Sequence, residues 1–259
     1  MGASVALSGS DESARVTVAG VSKTFDGDSG LVRALDDTEF EVRDGEFVCI
    51  VGPSGCGKTT LFRIIGGLDR PTDGEVLLSG EPVTGPTPDL GIVFQECHLF
   101  PWRTVRGNVA FRLEQMEVDE ATRRERIDEM LRLVGLETSS EVYPSQLSGG
   151  MKQRVAIARA LAVDPELLLM DEPFGSVDAR TREMLHGELL DVWAETQKTI
   201  LFVTHDVEES ITLADRVIVM AANPGRIREV VPVSLDRPRE RTDRDFVERV
   251  EYVRGLIGE

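Results

Sequence analysis

At 259 residues and 41% hydrophobic composition, with ordinary glycine and proline content, the chain is long enough for one large domain, or a core with an insertion, and too apolar for disorder. A formal net charge of −17 argues against nucleic acid as a partner. The longest apolar runs, "LLLM" and "VIVMAA", are too short to cross a bilayer, and no positively charged start leads into an apolar leader.

In chain order, residues 15–25 alternate polar and apolar and read as a strand. "EFEVR" and "EFVCIV" read as two more, joined by a turn at Asp44-Gly45. A helix is expected over 58–66, followed by strands at "GEVLLSG" and "LGIVFQ". From about Pro101 to Gly150 the spacing turns helical, with Ile127, Met130, Leu131 and Val134 on one face. Strand patterns return at "ELLLMD", "TILFVTH" and "RVIVMAA". A helix starting near Asp178 separates the first two and carries Leu185, Leu189, Val192 and Trp193 inward. Glu229 to Glu259 reads as a short polar tail ending in one helix. Short apolar strands alternating with helices imply an α/β fold around a buried, mostly parallel sheet.

"GPSGCGKT" fits G-x-x-x-x-G-K-[ST] at Gly52, Gly57, Lys58 and Thr59, between an apolar strand and a helix. Its glycines let backbone N–H groups curl around phosphate oxygens, and the helix start adds its positive dipole end. Lys58 is expected on the β- and γ-phosphates, and the Thr59 hydroxyl on Mg²⁺. "LLLMDEP" places Asp171 at the carboxyl end of a buried strand, where ligands of open α/β sheets bind and where a carboxylate suits Mg²⁺. Glu172 points elsewhere and is the candidate to polarise the attacking water. Taken alone, the same pair also suits a solvated strand end. Gln95 closes "GIVFQ" and His205 closes "ILFVTH". Gln95 is expected to reach Mg²⁺ and water, and His205 a γ-oxygen. Cys49 reads as core. Cys56 sits inside the phosphate loop, where a nucleotide is expected to shield it from alkylation. With Cys97, the spacing of the three fits neither zinc nor a redox pair and points to a reducing compartment.

"LSGGMKQR" is a second anion-facing segment. Ser148 caps a helix, and Gly149 and Gly150 expose backbone N–H groups. It belongs to the helical insertion and is not expected to fold back onto its own loop. A symmetric pair, each copy offering this helix end to the other's nucleotide, is the economical solution; an ordinary Ser-capped helix is the plainer one.

Together these segments resemble the ATP-binding subunit of an ABC (ATP-binding cassette) transporter. The matching pieces are the Walker A motif "GPSGCGKTT", the Q-loop "VFQE", the signature "LSGGMKQR", the Walker B motif "LLLMDEP", the D-loop "GSVDA" and the H-loop "VTHD", in order from about Val16 to Arg228. The resemblance implies a P-loop NTPase (RecA-like) core over 14–96 and 164–228, an antiparallel β subdomain, an inserted α-helical subdomain over about 97–163, and a tail over 229–259 in place of a regulatory domain. It implies Phe25 stacked on adenine, the loop residues Gly52, Pro53, Ser54, Gly55, Cys56, Gly57, Lys58, Thr59 and Thr60 around the phosphates, and Ser148, Gly149 and Gly150 on the opposite γ-phosphate. Asp178 would couple the two sites. Met151 stands where the family commonly has glutamine, and "GSVD" replaces "SALD" or "GALD".

Within the family, "FQECHLFPWRTVRGNVAF" and "FVTHDVEESITLADRVIVMAANPGRI" resemble ATPases of nitrate, sulfonate and taurine importers. The implied protein is an ATPase using ATP and Mg²⁺. It would act as a homodimer at the inner face of the cell membrane, on separate permease subunits and indirectly with an external solute-binding protein. "ECHLFPW" would contact the permease, or else pack Leu99, Phe100 and Trp102 in the core. An exporter or lipid-transport cassette, a soluble ABC ATPase and a monomeric P-loop kinase or switch are the alternatives. Only four of the 29 cationic residues are lysine (Lys23, Lys58, Lys152, Lys198), a balance that resembles proteins of saline cytoplasms.

Overall fold

The computed structural model describes residues 14–27 and 30–258. The start of the chain, where no leader is expected, lies outside them. The first strands, β1 (Ala14–Gly27) and β2 (Gly30–Arg43), form a long hairpin. β3 (Phe47–Val51) is buried throughout and leads into helix α1 (Lys58–Ile65). β4 (Asp73–Leu78) and the two-residue β5 (Glu81–Pro82) return to the hairpin, giving a four-stranded antiparallel sheet of order β2-β1-β4-β5.

The second sheet begins with β6 (Leu90–Val93). Three helices follow: α2 (Val105–Gln115), α3 (Glu120–Leu133) and α4 (Gly149–Leu161). Their side-chain N-caps are Thr104, Asp119 and Ser148. Then come β7 (Leu167–Asp171), α5 (Ala179–Thr196), β8 (Thr199–Val203), α6 (Val207–Leu213), β9 (Arg216–Ala221), β10 (Arg226–Pro232) and α7 (Arg244–Gly258). The sheet order is β10-β9-β3-β8-β7-β6, parallel except for the edge strand β10.

Period-two alternation divides the central strands between two cores. Phe47, Cys49, Val51, Leu168, Met170, Ile200 and Phe202 face the core built with α2 to α7. Val48, Ile50, Leu167, Leu169, Leu201 and Val203 face α1 and the antiparallel sheet. Both faces of the parallel sheet are therefore covered, which is why its strands read as unbroken apolar runs.

The boundary expected after Arg228 falls inside β10, and the region beyond it is anchored. Val231, Val233, Phe246, Val250 and Val253 are buried in the main core. β6 ends at Val93, so Gln95 stands two residues past the strand rather than at its last position.

Candidate functional site

The loop from Gly52 to Gly57 joins the carboxyl end of β3 to α1. Gly57 has φ +92°. A Cβ there would stand 2.6 Å from Leu35 Cδ2 and 2.9 Å from the Ala34 carbonyl, so the loop passes too close to β2 for any side chain. α1 has no side-chain cap, unlike α2 to α6, which leaves its first N–H groups free of a protein side chain. Lys58 arcs back over the loop: Nζ donates to the carbonyls of Gly52 (2.7 Å) and Pro53 (3.2 Å). Backbone oxygens, rather than an ion pair among the described residues, hold its charge. This is the cradle a chain of phosphates requires: bare amides, a helix dipole and one cation.

Cys56 corrects an expectation. It is fully buried beneath the loop, with Sγ 3.9 Å from Lys58 Nζ, and its N–H donates to the Pro53 carbonyl at 3.3 Å. Burial pushes the thiol above its ordinary range, with Lys58 opposing. The protein itself, not a bound nucleotide, shields this sulfur.

Facing the loop are the ends of β7 and β8. Burial first, and Glu172 second, push the Asp171 carboxyl up to about 6, against the pull of Lys58. Glu172 has φ +43°, a left-handed turn that takes its side chain off the strand's line. Hydrogen bonds from Glu172 N–H to the Val203 carbonyl (2.8 Å) and from Gly175 N–H to the Glu172 carbonyl (3.0 Å) hold that turn. His205 Nδ1 lies 2.9 Å from Glu172 Oε2.

Ser54, Gly55, Gly57, Lys58, Thr59 and Thr60 line one wall of a cleft of about 550 Å³, with Ala34, Glu172 and His205 completing it. Ala34 had no signal in the sequence beyond following a strand-like pattern; only the hairpin's fold over the loop brings it there. Several expected site residues are not in its lining. Phe25 is 41% exposed on β1, with Lys23 Nζ 5.0 Å from its ring centre. Gln95 is exposed beside Gly175, and Gly52, Pro53 and Asp171 are not part of the lining.

The segment Ser148 to Gly150 is also outside this cleft. Ser148 caps α4 by accepting from Met151 N–H at 3.3 Å, and both Ser148 and Gly149 are exposed. Gly150 is not: it is buried against α5, where a Cβ would stand 3.0 Å from Thr181 Cγ2. Its small size serves helix packing, and only Ser148 and Gly149 present themselves to solvent. Asp178 caps α5 by accepting from Thr181 N–H (3.1 Å) and Oγ1 (2.7 Å), and those hydrogen bonds hold its carboxyl below the ordinary range. A Cβ on Gly149 would lie 3.6 Å from Val177 Cγ1, so the starts of α4 and α5 share one exposed face.

A phosphate loop between a buried parallel strand and a helix without a side-chain cap, faced by carboxylates at the end of β7, two strands over in the sheet, defines a P-loop nucleotide-binding protein. A sequence profile described as ABC transporter matches residues 35–175. An uncharacterized ABC transporter ATP-binding protein of Methanocaldococcus jannaschii is 52% identical over 243 residues, covering 94% of this chain and 91% of its own. The nitrate import ATP-binding protein NrtD of Synechococcus elongatus is 47% identical over 85% of this chain and 82% of its own. A dimeric ATP-binding cassette structure in a post-hydrolysis state, bound to ADP and Pi, superposes with a TM-score of 0.73 at 34% identity, over 85% of this chain and all of that one. The chain belongs to the ABC transporter family and is an ATP-binding subunit of it, an ATPase coupled to transport.

Proposed function

We propose that two copies of this chain close head to tail on two MgATP molecules and drive uptake of a small oxyanion of the nitrate, sulfonate or taurine type through separate permease subunits. The observation that carries the reading is the division of the phosphate-facing groups. Lys58, Thr59, Glu172 and His205 share one cleft, while Ser148 and Gly149 stand exposed on another face. A second copy, related by two-fold symmetry, would bring its Ser148 to the first copy's cleft and receive the same in return. The dimeric cassette bound to ADP and Pi supports that arrangement, and the nitrate import relative supports the direction and the solute class.

In this reading the loop amides and Lys58 hold the β- and γ-phosphates. Glu172 orients water in line with the γ-phosphorus, and His205 holds a γ-oxygen. Oxygen donors suit a hard divalent cation, and Thr59, Gln95 and Asp171 would hold Mg²⁺ together with phosphate oxygens. Bound there, Mg²⁺ neutralises charge on the phosphates. Phe25 would stack on adenine, Gln95 would reach Mg²⁺ and the attacking water from the bend after β6, and Asp178 would couple the two sites.

No helix among the described residues is long and apolar enough to cross a membrane. Trp102, 72% exposed beside Phe100 (5.6 Å between rings), is the contact offered to a permease at the inner face of the membrane. Phe100 itself packs inward on Phe111 at 4.4 Å.

Sizing of Glu172→Gln with and without ATP tests the pair. A nucleotide-dependent shift to twice the mass is expected, and its loss in Glu172→Gln/Ser148→Arg, which adds bulk and charge at the signature serine. A monomer with ATP in Glu172→Gln, or full hydrolysis by Ser148→Arg, would overturn the shared site.

A further inference from the structure

His186 and Glu209 form a buried ionisable pair that the proposed chemistry does not use. His186, on α5, is 3% exposed, and Glu209, on α6, is 5% exposed. His186 Nε2 lies 2.7 Å from Glu209 Oε1, and the other carboxylate oxygen accepts from the Thr204 hydroxyl. Thr204 Oγ1 in turn accepts from Asp206 N–H at 3.0 Å, and Thr204 N–H donates to the Ile50 carbonyl at 3.1 Å. His205 therefore stands between two residues that the network ties down. One helical turn earlier on the same face of α5, Arg182 donates to the carbonyls of Phe174 (3.3 Å) and Val177 (3.2 Å) and approaches Asp206 at 3.9 Å. The His186 ring packs on Phe174, with centres 5.4 Å apart at 61°. Glu172, Arg182, Thr204, His205 and Glu209 all border one small gap of about 20 Å³, which puts the network next to the cleft's acid.

A buried pair of this kind adds little stability over apolar residues of equal volume, because desolvation offsets the attraction. What it fixes is geometry. We propose that His186, through Glu209 and Thr204, is a positioning residue for His205. With Arg182 it makes α5 a strut that holds the His205–Glu172 contact in register with the loop leading to Asp178. A turn free to shift by even 1 Å would misplace His205, and misplacement of that size can cost about 10² in rate.

The inference rests on Glu172 and His205 acting at the γ-phosphate, and the test separates the two. His186→Leu, His186→Gln and Thr204→Val in the full chain are compared for kcat, KM and binding of a fluorescent ATP analogue. His186→Leu is expected to lose about tenfold or more in kcat with analogue affinity within about twofold. His186→Gln, which keeps an N–H at similar reach, should recover most of the loss, and Thr204→Val should reproduce it. Wild-type kcat in His186→Leu, or His186→Gln falling as far as His186→Leu, would overturn the strut. If His186→Leu does not fold, Thr204→Val decides in its place, wild-type kcat again counting against the strut. Glu172→Gln, run alongside, tests the underlying reading. Normal turnover in that variant discards the Glu172 assignment, whereas a dead Glu172→Gln beside a fully active His186→Leu discards only the strut.

Discussion

His205 reaches across from the end of β8 to place Nδ1 2.9 Å from Oε2 of Glu172, at the end of β7. The contact joins a mostly exposed ring, 66% accessible, to a carboxylate that is 24% accessible. An exposed side chain carries little packing energy, so His205→Ala should leave the unfolding free energy nearly unchanged, within about 0.5 kcal/mol. Steady-state hydrolysis should nevertheless fall by roughly 10²-fold, the scale of losing one preorganised donor. A variant that keeps wild-type kcat would remove His205 from the chemistry.

Gly57 couples the hairpin to the phosphate loop. At φ +92°, with Leu35 Cδ2 2.6 Å from the position of a Cβ, alanine would be both strained and in collision. Gly57→Ala should cost about 1–3 kcal/mol of stability. It should also abolish ATP binding, because the loop must lift away from β2 to relieve the clash. Equilibrium unfolding and titration with a fluorescent nucleotide would read the two effects separately. Gly80, also at positive φ (+83°) but with open space around it, is the control: Gly80→Ala should bind nucleotide normally.

The thiols give a pH-dependent test. Burial pushes Cys49 well above its ordinary range, and raises Cys56 and Cys97. A raised thiol holds its proton to higher pH, so less reactive thiolate exists at neutrality. Native protein should therefore label very slowly with a thiol reagent at pH 7, with or without ATP, and the rate should still be climbing at pH 9. Three equivalents should react promptly in denaturant. Rapid, ATP-sensitive labelling at Cys56 would show that the loop opens more than its packing implies.

The parallel strands were legible because both of their faces are covered. "FVCIV", "LLLM" and "ILFV" are apolar without interruption, and polar residues of the site follow at their ends. The cap at Ser148 and the helix start near Asp178 were legible too, since capping is a local interaction. What escaped depends on distant parts of the chain. β10 mixes charges with valines because it is an edge strand paired on one side only, and so read as tail. Gly150 read as an exposed cradle residue, but whether a helix glycine faces solvent or a neighbouring helix is decided by where α5 lies. The His186–Glu209 pair, 23 positions apart on two helices, has no spacing signal at all.

The last helix is the clearest case of a polar sequence with a structural duty. Phe246, Val250 and Val253 fall at spacings of four and three along α7, so they share one face, and each is nearly or fully buried. That face packs on α6 and β9, while Tyr252 Oη donates to Glu229 Oε1 at 2.6 Å and Arg254 pairs with Glu208 at 2.7 Å. The exposed bonds add little, since surface pairs are worth about 0–1 kcal/mol. Burial of the ring should dominate: Phe246→Ala should cost about 3–5 kcal/mol. Val247→Ala, one position along and 41% exposed, should cost well under 1 kcal/mol. The difference decides whether the segment after β10 is an appendage or part of the core that sets α6, and with it the turn carrying His205. If Phe246→Ala melts with the wild type, α7 does not brace the site. If it melts early while Val247→Ala does not, cutting the chain before Arg244 should lower both stability and turnover.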